Sequence, residues 1–271
     1  MISKKIFKRL FLFLFFFMIL LSFDKVQAKV IVELEESHLS EGYVSTKIKE
    51  TKKTAYVIVI SKEEESYNFP VTDSGKYPLL LGDGTYQIMV GEKVKGNKYI
   101  AVLQKEIKVD LKDETSVYLQ SNEAIDWEKE DSKILKKAKE LTKNSKTNLE
   151  KAKAIHSYII KNYSYDNKKA VRVSKNYVPN LKDFYKLKKG ICFDYAALAA
   201  VMLRSVGVPT KLVKGYESGN PDIYHAWNQI YEETTEQWII IDTTYDAALK
   251  ASGKKIKFEK SAENYSIEKA Y

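Results

Sequence analysis

From Cys192 onward the chain gathers Ala196, Leu198, Ala199, Ala200, Val201, Met202, Leu203 and Val206 into one stretch, which Gly207 and Pro209 close. A helix this apolar has almost no face left for solvent, so it must run through the middle of a domain with other elements packed around it. Its first residue is the single cysteine of the chain. Just before it, Gly190 ends a short helix predicted over Leu181 to Lys188 and turns the chain into the apolar one.

A lone cysteine forms no intramolecular disulfide, which leaves burial, chance or reactivity as its explanation. Beside an apolar helix, a cysteine taken alone reads as a small buried residue. Its position argues for more. Unpaired backbone N–H groups give a helix N-terminus partial positive charge, which favours a thiolate over a thiol. The same N–H groups suit an oxyanion.

Three strands are predicted after this helix, over Lys211 to Tyr216, Ala226 to Tyr231 and Trp238 to Thr243. Helices followed by an antiparallel sheet define an α+β domain rather than a wound parallel fold. A cysteine nucleophile needs a base and a group that orients the base. The one histidine downstream is His225, in Tyr224-His-Ala-Trp-Asn228, and the last strand ends at Asp242. If Glu232 to Thr235 form the hairpin loop, Tyr231 faces Glu236 and His225 lies directly across from Asp242. Opposed residues have Cβ atoms about 4.5–5.5 Å apart, close enough for carboxylate to meet imidazole. A slip by one residue would put them on different faces.

Upstream, Lys133 to Lys143 has helical composition, and Thr147-Asn-Leu-Glu150 has the spacing of a capping box. Leu149, Ala152, Ile155 and Ile159 form the apolar stripe of the helix it opens. His156 falls one position off that stripe and reads as a structural histidine. Tyr163-Ser-Tyr165-Asp166 ends this helix, and a lysine-rich connector leads to Leu181.

The first half has another texture. Strands are predicted over Val30 to Leu34, Tyr43 to Ile48, Ala55 to Ile60, Tyr77 to Leu81, Thr85 to Val90, Tyr99 to Val109 and Ser116 to Gln120, with turns at Gly82-Asp83-Gly84 and Gly96-Asn97. Close spacing without helical periodicity predicts a small β-sandwich. This half shows no cluster of metal ligands or catalytic pairs, and His38 reads as a solvated loop residue.

The chain opens with Lys4, Lys5, Lys8 and Arg9, runs apolar from Leu10 to Phe23 and reaches Val26-Gln27-Ala28. That is the layout of a secretory signal peptide with cleavage after Ala28, and the apolar run is short for a membrane-spanning helix. An uncleaved leader would instead anchor the chain to a membrane; either way the working part lies outside the cytoplasm, secreted or associated with the cell envelope. Of the formal charge of +9, the four basic residues named and Lys25, set against Asp24, contribute four. The mild remaining excess suggests weak attraction to an anionic wall or membrane surface and does not indicate nucleic acid. The predicted segments are residues 1–28 as signal peptide, 29–122 as a β-sandwich-like domain and 123–271 as the domain that carries the chemistry.

Gly190-Ile-Cys-Phe-Asp-Tyr-Ala196, Tyr224-His-Ala-Trp-Asn228 and Trp238-Ile-Ile-Ile-Asp-Thr-Thr244 together resemble the three-block signature of the transglutaminase-like superfamily, whose core is related to papain-type cysteine proteases. The resemblance covers about Ser132 to Asp246. It implies a papain-like transglutaminase core with helices packed on an antiparallel sheet, and Cys192 as nucleophile, His225 as base and Asp242 as orienting acid. Tyr163-Ser-Tyr165 resembles the aromatic segment that precedes the cysteine in the family, so Tyr165 or Tyr163 would assist the Cys192 N–H in holding an oxyanion; Trp227 joins them as a substrate-side candidate. The β-rich first half resembles the N-terminal extension of secreted bacterial relatives. The acidic calcium loop of animal transglutaminases is not seen, so no metal and no cofactor is expected.

The implied chemistry is acyl transfer on protein or cell-wall peptide amides, through a Cys192 thioester resolved by water in a peptidase or amidase, or by a lysine amine in a cross-linking transglutaminase. The rival from another class is a cell-envelope binding or scaffold module that keeps the three residues without turnover. A thiol-reactive probe at neutral pH separates the two, since a binder needs no activated thiol.

Overall fold

The computed structural model describes residues 32–49, 55–72, 75–122, 125, 127, 132–174 and 177–271. The predicted leader lies outside the described residues. Two compact units emerge: one holds the described residues up to Glu35, from Val32, with Thr46–Gly75 and Thr85–Lys108, the other Glu36–Ser45, Lys76–Gly84 and Val109–Tyr271. The units interleave in sequence, whereas the change of texture near residue 122 suggested contiguous segments. The reason is strand pairing over a distance: Tyr43, Val44 and Ser45 pair with Pro78, Tyr77 and Lys76.

The first half contributes strands β1 (Val32–Glu35), β2 (Tyr43–Ile48), β3 (Tyr56–Lys62), β4 (Glu65–Pro70), β5 (Lys76–Pro78), β6 (Gly84–Lys95) and β7 (Lys98–Val109). In the first unit β4, β3, β6 and β7 form a four-stranded sheet in that order. Period-two alternation sets its buried face, with Ile58 opposite Val90 and Ile60 opposite Ile88, all four buried. The tight turn after Lys62 needs Glu63 at φ 54, and Gly96, at φ 58, turns β6 into β7.

The strands differ from the expected set in two places. β4 was missed, because the acidic run Glu63-Glu64-Glu65 masks the alternation of Tyr67 and Phe69, both buried. Pro70 is tolerated because β4 lies at the sheet's edge. Conversely, Ser116–Leu119 is a 3-10 helix and not a strand. Asp113 explains it: its carboxylate accepts from the Thr115 N–H at 2.8 Å and its carbonyl from the Ser116 hydroxyl at 2.6 Å. Such local side-chain bonds draw the backbone away from a ladder.

The second unit contains helices α1 (Ser132–Thr142), α2 (Asn148–Asn162), α3 (Asn167–Ala170), α4 (Leu181–Leu187), α5 (Cys192–Arg204) and α6 (Thr243–Ala251). Its strands are β8 (Ser164–Tyr165), β9 (Lys189–Gly190), β10 (Thr210–Glu217), β11 (Asn220–Glu232), β12 (Gln237–Ile241) and β13 (Tyr265–Ala270). The four long strands form an antiparallel sheet in the order β12-β11-β10-β13, which establishes the α+β architecture. The Thr147 capping box starts α2 as expected: Thr147 Oγ1 accepts from the Glu150 N–H at 3.1 Å, and Glu150 Oε2 from the Thr147 N–H at 3.4 Å.

Helix α5 is buried from Phe193 to Arg204, as its composition requires. Leu212, Ala226, Ile230 and Ile241 of the sheet belong to the same core, and Asn228 Nδ2 donates to the Ala196 carbonyl at 3.0 Å. Val213, Trp227 and Ile240, at alternate positions, form a separate small cluster with Tyr265 and Ala270. Truncating Leu198, fully buried in α5, would cost about 2–5 kcal/mol in transfer and cavity terms.

Candidate functional site

Backbone contacts and one missing side chain place Cys192 at the start of α5. β8 and β9 pair in parallel, with Asp166 N donating to the Gly190 carbonyl at 2.8 Å. A Cβ on Gly190 would lie 2.6 Å from Asp194 Oδ2 and from Phe184, so any side chain there would push the helix start away. Asp194 Oδ2 accepts from the Ile191 N–H at 2.8 Å and thereby caps the helix. The free thiol of Cys192 ends up half-buried at the first helical position.

His225 comes from β11 and Asp242 from the junction of β12 with α6. His225 Nε2 donates to Asp242 Oδ2 at 2.7 Å, which leaves Nδ1 free of the carboxylate, and the Cys192 thiol lies close enough to act on the ring. Burial lowers the proton affinity of His225, but the Asp242 charge, its hydrogen bond and the thiol outweigh that and push the pKa up to about 10. Asp242 is fully buried, which alone would raise its pKa; the His225 charge, the His225 bond, the Tyr245 amide and Tyr265 hold it below the usual carboxylate value. Its second oxygen accepts from the Thr244 and Tyr245 amides at 3.0 and 2.9 Å, making Asp242 the N-cap of α6.

The structure thus brings Cys192, His225 and Asp242 together, by a register other than the expected one. Tyr231 pairs with Trp238 and Asn228 with Ile241, so the loop is Glu233 to Glu236, with Glu236 at φ 56. Sliding the loop by one residue moves every cross-strand pairing by two. Two is the period of side-chain alternation, so both residues keep their common face, and Asp242 reaches His225 diagonally from one step beyond the last pair.

Of the two competing tyrosines, Tyr165 is 37% exposed, and its pKa is pushed up to about 12 by burial and by the neighbouring Cys192 and Asp194. Tyr163 is only 6% exposed; its hydroxyl accepts from Lys188 Nζ at 2.8 Å and its ring packs on Phe184 and Tyr195. Trp227 is 1% exposed and lies between the rings of His225 and Tyr265, at 6.0 and 4.9 Å. Tyr163 belongs to the hydrophobic core of the second unit, and Trp227 packs beside the His225 ring.

Two contributors lie outside the predicted site residues. Asp194, read only as part of the cysteine block, is fully buried and also accepts from Lys169 Nζ at 2.7 Å and from the Tyr177 hydroxyl, tying the connector to the start of α5. Tyr265, which lies in none of the three blocks, donates to Asp242 Oδ2 at 3.1 Å. The one clue for Asp194 is a carboxylate three residues past a helix cap. Among the described residues no group of three or more His, Cys, Asp or Glu side chains is arranged to hold a metal ion.

Residues 136–243, which include Cys192, His225 and Asp242, match the family described as the transglutaminase-like superfamily. This segment is a transglutaminase-like domain. The chain is 29% identical over 121 residues to the uncharacterized protein YebA of Bacillus subtilis (strain 168), covering 38% of this chain and 16% of that protein. It is 32% identical over 75 residues to a protein-glutamine gamma-glutamyltransferase of Pseudomonas aeruginosa, covering 24% of this chain and 11% of that one. It therefore spans under a fifth of the length of these relatives. Among solved structures, the periplasmic domain of TgpA from Pseudomonas aeruginosa superposes with a TM-score of 0.39 at 13% identity, covering 74% of this chain and 93% of that one.

Proposed function

We propose that this chain is a secreted, thiol-dependent acyl-transfer enzyme of peptidase or amidase type, acting on protein or cell-wall peptide amides. The observation that carries the reading is the His225 imidazole, held between a buried carboxylate and a thiol at a helix start. Cys192 Sγ attacks the amide carbonyl carbon, and the oxyanion meets the Cys192 backbone N–H with Tyr165 beside it. The C–N bond then breaks, His225 protonates the leaving amine and a thioester remains. Water attacks the thioester, His225 takes its proton, and the free acid and thiol are released. Asp242 keeps the Nε2 proton of His225 in place and stabilises the imidazolium.

A second reading, transamidation, draws on the segment shared with the gamma-glutamyltransferase. There a lysine amine replaces water and an isopeptide bond forms. Incubating the purified mature chain with casein or peptidoglycan peptides, with and without a labelled primary amine, distinguishes the two: new termini or free acids mean hydrolysis, label incorporation means transamidation. Activity surviving Cys192→Ala or His225→Ala refutes both. If nothing turns over and Cys192 reacts with a thiol probe no faster than free cysteine, a binding module is the better description. The export half of the proposal predicts that the protein recovered outside the cytoplasm begins at Lys29, which N-terminal sequencing reads directly.

A further inference from the structure

Asp242 accepts four hydrogen bonds, and they divide unevenly. Oδ1 is committed to two backbone amides of α6. Oδ2 is shared by the His225 ring at 2.7 Å and the Tyr265 hydroxyl at 3.1 Å. Tyr265 also packs against Trp227, and Trp227 against His225. His225, Trp227, Tyr265 and Asp242 therefore close a circuit in which no member can turn without disturbing the next.

β13 is brought close enough for this by a second glycine. A Cβ on Gly215 would lie 2.0 Å from the Ser266 carbonyl oxygen and 2.9 Å from the Trp227 ring. The β10–β13 register also shifts between Lys214 and Gly215. A phenylalanine at 265 would pack as well against Trp227 while sparing the protein a desolvated hydroxyl. The hydroxyl is accounted for by what it donates to.

We infer that Tyr265 is a positioning residue, whose hydrogen bond to Oδ2 of Asp242 fixes the carboxylate that orients His225, so that a strand outside the matched segment 136–243 completes the site. The inference deepens the acyl-transfer reading and rests on it for its kinetic consequence, though not for its structural one. The titratable groups facing the pair are Cys192 from α5 and Tyr265 from β13; the charges of Glu217 and Asp246 act on Tyr265 in turn.

The test is Tyr265→Phe in the whole mature chain, read in two ways. By NMR, the three histidines are titrated and the His225 imidazole followed. Two donors on one oxygen compete, so losing the hydroxyl tightens the His225 bond, and its midpoint rises by roughly half a pH unit. In the amide assay, kcat falls about tenfold with KM within about twofold, as expected for a group that orients but does not bind. Gly215→Ala, which displaces β13, gives the same pattern, while Ile267→Ala, an exposed position on the same strand, leaves both readouts unchanged. An unmoved His225 midpoint in Tyr265→Phe overturns the inference, with or without a fall in kcat, as does an effect on KM alone. If the wild-type chain proves inactive on every amide, the acyl-transfer reading fails and the titration still decides the role of Tyr265.

Discussion

The second unit contains two buried histidine–aspartate pairs that are nearly alike in geometry. His225 meets Asp242 at 2.7 Å, and His156 meets Asp246 at 2.8 Å. Both carboxylates are fully buried and belong to the same helix start, one turn apart, with the Asp246 N–H bonded to the Asp242 carbonyl. The pairs differ in their third partner. His225 looks onto a thiol and keeps 16% of its side chain exposed; His156 packs edge-on against Phe258 and keeps 4%, while Lys260 Nζ closes the far side of Asp246 at 2.5 Å. The same dyad faces a thiol and an opening in one case, and is sealed by an ammonium and a phenyl ring in the other. A histidine bonded to a buried aspartate is therefore weak grounds for chemistry unless the third group is specified.

The sharpest way to break this contrast is to remove each histidine. His225→Ala, like Cys192→Ala, should lower turnover by about 10⁴-fold or more while the protein stays folded, as checked by circular dichroism alongside the amide assay. His156→Ala should do the reverse, costing about 3 kcal/mol in urea denaturation because it strips one partner from a buried carboxylate, while specific activity of the folded fraction holds. Equal loss of turnover in both variants would erase the distinction.

Asp242→Asn comes next. It should leave residual activity, since orientation is impaired and the nucleophile is not, and the His225 midpoint should fall several pH units from about 10. Smaller still is the effect of pH on folding. Because the His225 pKa is raised above its unfolded value of about 6.5, the pair's stabilisation is complete below that value and is lost as pH rises through about 10. The lowered Asp242 pKa sets the other limit: its contribution is present above about 3.8 and is lost as pH falls through the folded value. Urea midpoints measured from pH 6 to 11 should decline at the alkaline end, and Asp242→Asn should flatten that decline.

Much of the second unit could be read in its residues because each cue acts locally. The Thr147 box, the apolar density after Cys192 and the glycine stop at Gly207 each determine their own surroundings. The grouping of Cys192, His225 and Asp242 was legible for a different reason: the three sit in short blocks, and the error in hairpin register happened to be an even number. Had the loop slid the pairings by one, His225 and Asp242 would have pointed to opposite faces. What escaped was non-local or masked. Tyr265 reaches Asp242 only because β13 crosses back beside β10, and nothing within the strand marks that return. The interleaving of the two units has the same origin, since the pairing of Tyr43 with Pro78 leaves no trace in either segment alone. The 3-10 turn at Ser116 was lost to a carboxylate three residues upstream, which overrode the β-forming composition of Ser116 to Gln120.

Asp242 begins a helix with one oxygen and holds an imidazole with the other. A lineage descended from this protein could abandon its chemistry altogether, and purifying selection on folding alone would still preserve the aspartate, whereas Cys192 would be free to drift. Under the proposed acyl-transfer reading, the residue that reports whether a descendant still acts on a substrate is therefore the thiol, and a census of relatives counted by the aspartate would tally fossils among the living.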